Sequence, residues 1–284
     1  MKTFFITRFS IYDHNYHGYK ITRNNNNNTY QKILFSKERM DFKFNVFENV
    51  TLKSVLLQKN PNWEWHIYFS SKLEKEYSNK LFTLTTDYEN IKICPVDNFE
   101  EFFKKVEKYD YGENYATARL DDDDAISAQY INLLNDYSEY KGRIISFPYG
   151  HEYSLKKNKI NIGIKCRKPN IAIGLAAINK DIYSCGDHDY IAKNHVVLYD
   201  LTQDMYLICC SPFSDTKRKR TKKRKFVLKT YINQLLNKYE YHITKINTES
   251  SPNIFYESKN THSKIFKSIN FILNLIGFQI LKRK

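Results

Sequence analysis

The hydrophobic residues in the first half of the chain fall into short apolar runs separated by stretches with helical spacing. Compact apolar runs bounded by polar residues predict buried strands. These are residues 4–9, 65–69, 91–94 and 114–120. Apolar residues at near-helical spacing predict helices between them, at residues 46–57, 73–84 and 99–106. Strands that alternate with helices indicate a mostly parallel sheet.

The second half has a different pattern. Residues 125–134 are predicted as a helix, residues 143–147 as a strand, and residues 153–210 as a region rich in short strands. Residues 24–28 are five asparagines with nothing to bury, so we expect a mobile loop there. The sequence therefore predicts an α/β fold whose second part carries additional strands.

Composition limits the class of protein. The chain has 284 residues, of which 42% are hydrophobic and 15% aromatic, so it can bury a large core and is not disordered as a whole. Its formal net charge is +14, which indicates an anionic partner. That partner could be a nucleic acid, an anionic lipid or a phosphorylated small molecule, and composition does not choose among them.

The cysteines and the apolar segments indicate where the protein works. Five cysteines without C-x-x-C spacing argue against a disulfide framework and a zinc site, and favour a reducing cytoplasm. Arg8 interrupts the apolar N-terminus, and no segment reaches the roughly 18 apolar residues that cross a bilayer. We therefore expect a cytoplasmic protein that is soluble or peripheral on a membrane.

A basic run at residues 217–225 divides the chain, because eight of its nine residues are Lys or Arg. We predict a catalytic domain at residues 1–215 and a basic, helical C-terminal region at residues 216–284. Its apolar helix, residues 265–281, together with the basic run, predicts attachment to an anionic membrane surface. The alternative is a solvated charge run followed by a helix that docks on the catalytic domain.

Four consecutive aspartates, Asp121 to Asp124, follow the predicted strand at residues 114–120. Ligands of open α/β sheets bind beyond the carboxyl ends of the strands. Four adjacent carboxylates repel one another unless a cation neutralises them, and Mg²⁺ or Mn²⁺ prefers such oxygen ligands. The alternative is that the aspartates cap a helix beginning near Ala125, although one or two would suffice for that.

Residues 117–125, Thr-Ala-Arg-Leu-Asp-Asp-Asp-Asp-Ala, resemble the central motif of the putative rhamnosyltransferase family of bacterial polysaccharide enzymes, within the GT-A superfamily. Residues 6–9, Arg39 with residues 47–55, and residues 58–65 resemble its first strand, first helix and second strand. The resemblance implies a GT-A-like, Rossmann-like fold and a metal-dependent glycosyltransferase, or hexosyltransferase. It would move a sugar, rhamnose by the family's name, from a nucleotide-diphosphate donor to a glycan or lipid-linked acceptor.

The resemblance also implies roles for individual residues. Asp121 and Asp123 would form the Asp-x-Asp pair, with Mn²⁺ or Mg²⁺ as cofactor. The implied metal ligands are Asp121, Asp123 and Asp124. The implied donor contacts are Arg8, Arg119, Asp121 and Asp122. Arg8 could equally be an ordinary surface arginine at the end of a strand.

The sequence departs from the family's pattern at two places. Residues 173–177 offer alanine where the family carries a glutamate, and residues 207–211 offer no late histidine for the metal. Water or Asp215 could be the third ligand. For the base that deprotonates the acceptor, the candidates are Asp187, His188 and Asp189, although this stretch could be a simple polar turn. Trp63 and Trp65 are expected in the core.

Two other functions compete with this prediction. A nucleic-acid-binding protein would explain the basic run, but it leaves the aspartates unexplained, so we expect no nucleic acid partner. A metal-dependent phosphohydrolase would use the same aspartates, yet it would need further carboxylates or histidines at defined spacing.

Overall fold

The apolar runs of the chain form two sheets in the computed structural model, which describes residues 1–15, 27–156, 159–211 and 213. The strands are β1 (Lys2–Phe9), β2 (Trp63–Ser70), β3 (Ile91–Val96), β4 (Tyr115–Arg119), β5 (Ala125–Ile126), β6 (Ile144–Ser146), β7 (Tyr149–Lys156), β8 (Lys159–Arg167), β9 (Ala176–Ile178), β10 (Val197–Tyr199) and β11 (Tyr206–Cys209). The helices are α1 (Asn27–Leu34), α2 (Lys37–Val46), α3 (Leu52–Leu56), α4 (Lys75–Thr85), α5 (Phe99–Glu107), α6 (Tyr130–Asn135) and α7 (His188–Asn194).

The larger sheet has seven strands in the order β10-β6-β9-β4-β1-β2-β3. Every neighbouring pair is parallel except the two pairs made by β9. Apolar side chains on both faces of the sheet are buried: Phe5 packs with Trp65 on one face, and Ile6 packs with Tyr68 on the other. Burial on both faces explains why these strands are nearly continuous apolar runs. The predicted α/β class with a mostly parallel sheet flanked by helices is confirmed, and Trp63 and Trp65 lie in the core.

The smaller sheet comes from the second half of the chain, in the order β5-β11-β7-β8. β11 pairs antiparallel with β5 and parallel with β7. Gly150 in β7 lies directly against Tyr206 of β11, where a Cβ atom would come within 2.4 Å of the tyrosine ring. The predicted enrichment in strands after residue 153 is thus real, and it builds a second sheet beside the carboxyl edge of the first.

The helix predicted at residues 125–134 is wrong in its first half. Ala125 and Ile126 form β5, because their backbone pairs with Leu207 and Tyr206 of β11, and α6 begins only at Tyr130. No helix begins at Ala125, so the interpretation of the aspartates as a helix cap is also wrong.

Two other boundaries differ from the sequence prediction. The helix predicted at residues 46–57 begins earlier, at Lys37, and contains a π-helical turn at Phe47–Thr51 between α2 and α3. Helix α1 begins at Asn27, inside the asparagine run predicted as a loop, while residues 24–26 lie outside the described residues. The basic run, the helical region predicted after it and the predicted boundary at residue 215 also lie outside the described residues.

Within the part of the chain that the structure describes, no helix combines the length and the apolar character needed to cross a bilayer. All five cysteines lie in this part and are free thiols, as the odd number and the spacing predicted. Cys185, Cys209 and Cys210 are buried and behave as small core residues.

Candidate functional site

The aspartate run lies at the carboxyl edge of the larger sheet, directly after β4. Ile6 of β1 is opposite Arg119, the last residue of β4, and Leu120 continues the pairing by donating its N–H to the Ile6 carbonyl at 3.2 Å. The hydroxyl of Thr7 donates to the Leu120 carbonyl at 2.6 Å. The run therefore starts at the place where ligands of open α/β sheets bind.

The four aspartates alternate between half-buried and buried positions. Asp122 and Asp124 are 3% and 4% exposed, whereas Asp121 and Asp123 are half-buried. Asp122 forms a short ion pair with Lys43 of α2. Asp124 accepts the backbone N–H of Cys209 at 2.7 Å. Asp122 and Asp124 are thus engaged within the protein, although they were predicted as donor and metal contacts, and Asp121 and Asp123 are the more accessible pair.

Several elements hold the backbone of this loop. The Thr51 hydroxyl, from the π-helical turn, donates to the Asp122 carbonyl at 3.2 Å, and the Tyr153 hydroxyl, from β7, donates to the Asp123 carbonyl through a short hydrogen bond. Within the loop, the Asp124 N–H contacts the Asp121 carbonyl at 3.3 Å. Contacts from both sheets, and from the helical segment that contains α2 and the π-helical turn, therefore fix the shape of the loop.

Burial and neighbouring carboxylates make the ionised forms of Asp123 and Asp124 unfavourable. Burial raises the pKa of Asp123 to about 7; Lys43 opposes this shift, and Asp121 and Asp122 add to it. Burial, together with Asp123 and Asp121, also raises the pKa of Asp124. A cation that binds here would relieve the repulsion between the carboxylates, which is the electrostatic condition for a metal site.

The side chains present fit a divalent ion that is shared with a ligand. Among the described residues, no three His, Cys, Asp or Glu side chains surround a common point as a complete metal cage. Mg²⁺ typically uses one or two carboxylates and completes its shell with waters and substrate phosphates. Asp121 and Asp123 can supply those carboxylates. In addition, the buried Asp122 Oδ2 atom has no hydrogen-bond partner within the described part of the chain.

Two arginines meet around one tyrosine beside the aspartates. The guanidinium groups of Arg8 and Arg119 lie 5.3 Å and 4.4 Å from the ring centroid of Tyr183. Arg119 is buried, and it donates to the carbonyls of Ile182 (3.3 Å) and Gly186. Burial lowers the pKa of Arg119, and the charge of Arg8 contributes in the same direction. Two cations at such close quarters favour an anion between or beside them.

The predicted base stretch reaches this same edge. Arg119 holds the Gly186 carbonyl, and the charges of Asp121 and Asp187 both act to raise the pKa of Arg119, so the three side chains share one electrostatic environment. Asp187 and His188 are exposed at the start of α7, and the Asp187 side chain accepts no capping hydrogen bond from that helix. Asp189 follows in α7. The structure thus brings the aspartate run and this stretch together.

Four residues of the site were missed in the sequence: Lys43, Tyr153, Tyr183 and Cys209. One feature of the sequence points to Lys43: it lies among Met40, Phe44 and Phe47 on the apolar face of a helix. Burying an unpaired lysine there would cost free energy, so a partner is expected. The other three come from the strand-rich half, and only the tertiary fold shows that they face the aspartates.

Comparisons with known proteins give one strong match and several distant ones. A profile of the family described as Putative rhamnosyl transferase matches residues 2–223. A comparison with curated protein sequences finds no match. The fold superposes on S. aureus TarS with 9% identity and a TM-score of 0.43, over 75% of this chain and 37% of TarS.

Two structures of TarS residues 1–349 give similar values. The complex with UDP-GlcNAc has 9% identity and a TM-score of 0.41 over 74% of this chain and 59% of that one. The complex with UDP has 9% identity and a TM-score of 0.42 over 75% and 61%. The chain spans less than two thirds of each of these proteins. Because the family profile covers well over half of its residues, the protein belongs to the family described as Putative rhamnosyl transferase.

Proposed function

We propose that the protein transfers a sugar from a nucleotide-diphosphate donor that binds at the carboxyl edge of the larger sheet. The observation that carries this proposal is the alternation of the four aspartates. Two are engaged inside the protein, and Asp121 and Asp123 are left more accessible at the place where a ligand would bind. Asp121 and Asp123 would hold Mn²⁺ or Mg²⁺, which would neutralise the negative charge of the departing diphosphate.

The arginine pair supports the anionic character of the donor. Arg8 is only half-buried and lies between the rings of Phe99 and Tyr183, at 5.7 Å and 5.3 Å, so its guanidinium is held in place while it can still reach a ligand. Arg119 is fixed by backbone carbonyls and supplies positive potential from below the surface. We assign Arg8 to the donor's phosphate or nucleotide and Arg119 to the shaping of this subsite.

The stretch from Asp187 to Asp189 is the proposed source of the base. During transfer, the acceptor oxygen forms a bond to the anomeric carbon, the bond from that carbon to the diphosphate breaks, and the acceptor proton must go to a carboxylate or imidazole. Asp187 and His188 are exposed beside Arg119, and Asp189 is in the same helix. We propose that one of these three residues receives the proton.

The acceptor is proposed to be a glycan or a lipid-linked glycan of bacterial surface polysaccharide synthesis, with rhamnose as a sugar that the family name indicates. The basic run at residues 217–225 supports attachment to an anionic membrane from the cytoplasmic side, because each cation near such a surface contributes about 1 kcal/mol. Binding of the full chain to anionic liposomes at low salt, and its loss when these cations are replaced by Gln, would test the attachment.

A thermal-shift screen tests the proposed function directly. UDP, GDP and dTDP are each added with and without Mn²⁺, since a ligand that binds the folded state raises its melting temperature. We expect one nucleotide to stabilise the wild type only with Mn²⁺, and to have no effect on Asp123→Asn. Glu64→Gln, a carboxylate change at the opposite edge of the sheet, is the matched control and should respond like the wild type. No response to any nucleotide would contradict the proposal.

A second measurement separates this function from phosphohydrolysis and nucleic acid binding. The donor identified in the screen is incubated without acceptor, and the release of nucleoside diphosphate and of nucleoside monophosphate is followed. A glycosyltransferase should release nucleoside diphosphate slowly and accelerate when acceptor is added. Splitting of the donor into nucleoside monophosphate and sugar phosphate, at a rate that the acceptor does not change, would favour a phosphohydrolase. Tight binding of single-stranded RNA without any nucleotide response would favour the nucleic acid alternative.

A further inference from the structure

A buried lysine lies against the aspartate run and plays no part in the proposed transfer. Lys43 and Asp122 form an ion pair in which the side chains are 10% and 4% exposed. Lys43 belongs to α2, 79 residues before its partner in sequence. Its ammonium also lies 5.7 Å from the centre of the Phe9 ring, at the end of β1. An ion pair this far from water contributes only if its geometry is good, so its place beside the site needs a reason.

The same helix contributes a second buried cation to the same edge. Arg39 lies one turn before Lys43, and its guanidinium donates to the Ser10 hydroxyl at 3.0 Å and to the Leu34 carbonyl at 2.6 Å. Ser10 directly follows β1 and has a left-handed backbone, with φ of 49°. Helix α2 thus fixes the chain after β1 through Arg39 and the loop after β4 through Lys43.

The ion pair with Lys43 holds one of the four aspartates inside the protein. When the Asp122 carboxylate is drawn inward to Lys43, the residues on either side of it, Asp121 and Asp123, are the ones left half-buried. Thr51 holds the Asp122 carbonyl from the same helical segment, so both the side chain and the backbone of Asp122 are attached to it. Without Lys43, the Asp122 carboxylate would be buried beside three others with no cation in contact.

We infer that Lys43 is a positioning residue: a permanent internal cation that gives the aspartate loop its ligand-ready shape before any divalent ion or donor arrives. This inference rests on the proposed function for its purpose, but the shape of the loop can be measured without metal. The inference also fixes the sign of the effect that Lys43 has on metal affinity. A cation near a metal site repels the metal, so a purely electrostatic Lys43 should weaken binding; a positioning Lys43 should strengthen it.

The test compares four variants of the full chain. Lys43→Met removes the cation, Asp122→Asn removes its partner, and the double variant removes both. Lys37→Met is the matched control, because Lys37 lies on the same helix and pairs with Asp41 at 3.0 Å while both side chains are 78% and 52% exposed. In metal-free buffer we expect Lys43→Met to lower the melting temperature by roughly 10 °C, the double variant to recover part of this loss, and Lys37→Met to change it little.

Two further measurements distinguish a positioning role of Lys43 from a role in the stability of the fold alone. Hydrogen exchange in residues 120–127 of metal-free Lys43→Met should be faster than in wild type, while β1 and β2 stay protected. Calorimetric titration with Mn²⁺, well below the melting temperature, should show affinity reduced at least about tenfold in Lys43→Met and unchanged in Lys37→Met. Faster exchange everywhere, unchanged exchange in the loop, or Mn²⁺ binding as tight as wild type or tighter would overturn the inference.

Different measurements decide the proposed function and the role of Lys43. If the wild type binds no Mn²⁺, the metal part of the proposed function is wrong, and the metal-free exchange and the recovery in the double variant still decide the role of Lys43. If Lys43→Met does not fold, the double variant provides the loop measurement. If the stability losses of Lys43→Met and Asp122→Asn simply add up in the double variant, the two side chains are not coupled, and this would also overturn the inference.

Discussion

The two edges of the larger sheet both contain buried charge, but they combine it differently. At the amino edge, Glu64 accepts hydrogen bonds from His66 at 2.5 Å, Tyr109 at 2.7 Å and Lys2 at 2.9 Å. At the carboxyl edge, four carboxylates are adjacent in sequence, and the Arg8 and Arg119 guanidinium groups share one tyrosine ring. The first edge pairs groups that attract each other, whereas the second places groups of like charge together.

The pKa values show what this difference means. Burial by itself would raise the pKa of Glu64, but the hydrogen bonds from His66, Tyr109 and Lys2 outweigh it and lower the pKa to about 2. The pKa of Asp123 moves the opposite way, to about 7, because burial is not offset by enough positive charge. A satisfied cluster indicates a structural role, while an unsatisfied one indicates a ligand site. Four predictions would break or sharpen this distinction.

The largest expected effect is the loss of transfer in Asp123→Ala. Removing one of the two accessible carboxylates should lower the rate of sugar transfer by about a thousandfold, while the melting temperature in metal-free buffer stays the same or rises, because a repulsive charge is gone. Transfer is measured as nucleotide diphosphate release with acceptor present. Full activity of this variant in saturating Mn²⁺ or Mg²⁺ would show that the carboxyl edge is not the metal site.

Asp187→Asn should have the next largest effect. Loss of the base should lower turnover by about a hundredfold and leave donor affinity unchanged, since Asp187 is proposed to act on the acceptor proton and is not among the proposed donor contacts. Steady-state kinetics with Asp189→Asn in parallel shows which carboxylate acts. Normal turnover in both variants would mean that the base comes from another part of the chain, His188 being the next to replace.

Glu64→Gln should affect stability instead of catalysis. The folded-state pKa of Glu64, about 2, is below its ordinary value of 4.5, so the carboxylate stabilises the fold above pH 4.5, and this contribution disappears as the pH falls towards 2. We expect Glu64→Gln to lose about 2 kcal/mol at pH 7 and to show a flatter pH dependence between pH 4.5 and 2. Urea unfolding at several pH values measures both.

A change in catalysis in Glu64→Gln would contradict the distinction between the two edges of the larger sheet. At pH 7 and a temperature where both proteins are folded, Glu64→Gln should keep the turnover and nucleotide affinity of the wild type. A large loss of activity with unchanged stability would mean that the amino edge also belongs to the site.

Arg8→Met should have the smallest of the four effects, a weakening of nucleotide binding by about tenfold with turnover at saturation little changed. Arg143→Met is the matched control, because Arg143 is an exposed arginine that directly precedes β6 at the amino edge. Binding titrations at low and high salt should show a reduced salt dependence for Arg8→Met alone. Equal effects of the two substitutions would mean that only net charge matters.

Much of the larger sheet could be predicted from local sequence, and the reasons are physical. Strands such as Trp63–Ser70 are buried on both faces, so most of their residues are apolar, and this can be recognised from the residues of the strand alone. The placement of the aspartates at the carboxyl edge followed from one strand and the general rule for open sheets. Such features depend only on residues close together in the chain.

The predictions that were wrong, and the site contacts that were missed, depend on residues that lie far apart in the sequence. Ala125 and Ile126 were assigned to a helix, yet they pair with β11, some 80 residues later, and no local pattern contains that partner. Lys43 acts on Asp122 across 79 residues of sequence. The same holds for the Arg119 contact with the Gly186 carbonyl, which brings the predicted base stretch to the site. Long-range contacts of this kind decide which of several polar residues face one another.

The π-helical turn at Phe47–Thr51 accommodates one residue more than a regular helix would need between Lys43 and Thr51. Lys43 and Thr51 both contact Asp122, yet eight residues of regular α-helix would turn them about 80° apart. The wider turn absorbs the surplus residue and lets both side chains face the aspartates. Deleting Glu48 or Asn49 should therefore give an ordinary helix that keeps both contacts. In this segment, relatives with one residue fewer could build the same site, because the direction of the two side chains is constrained and the number of residues between them is not.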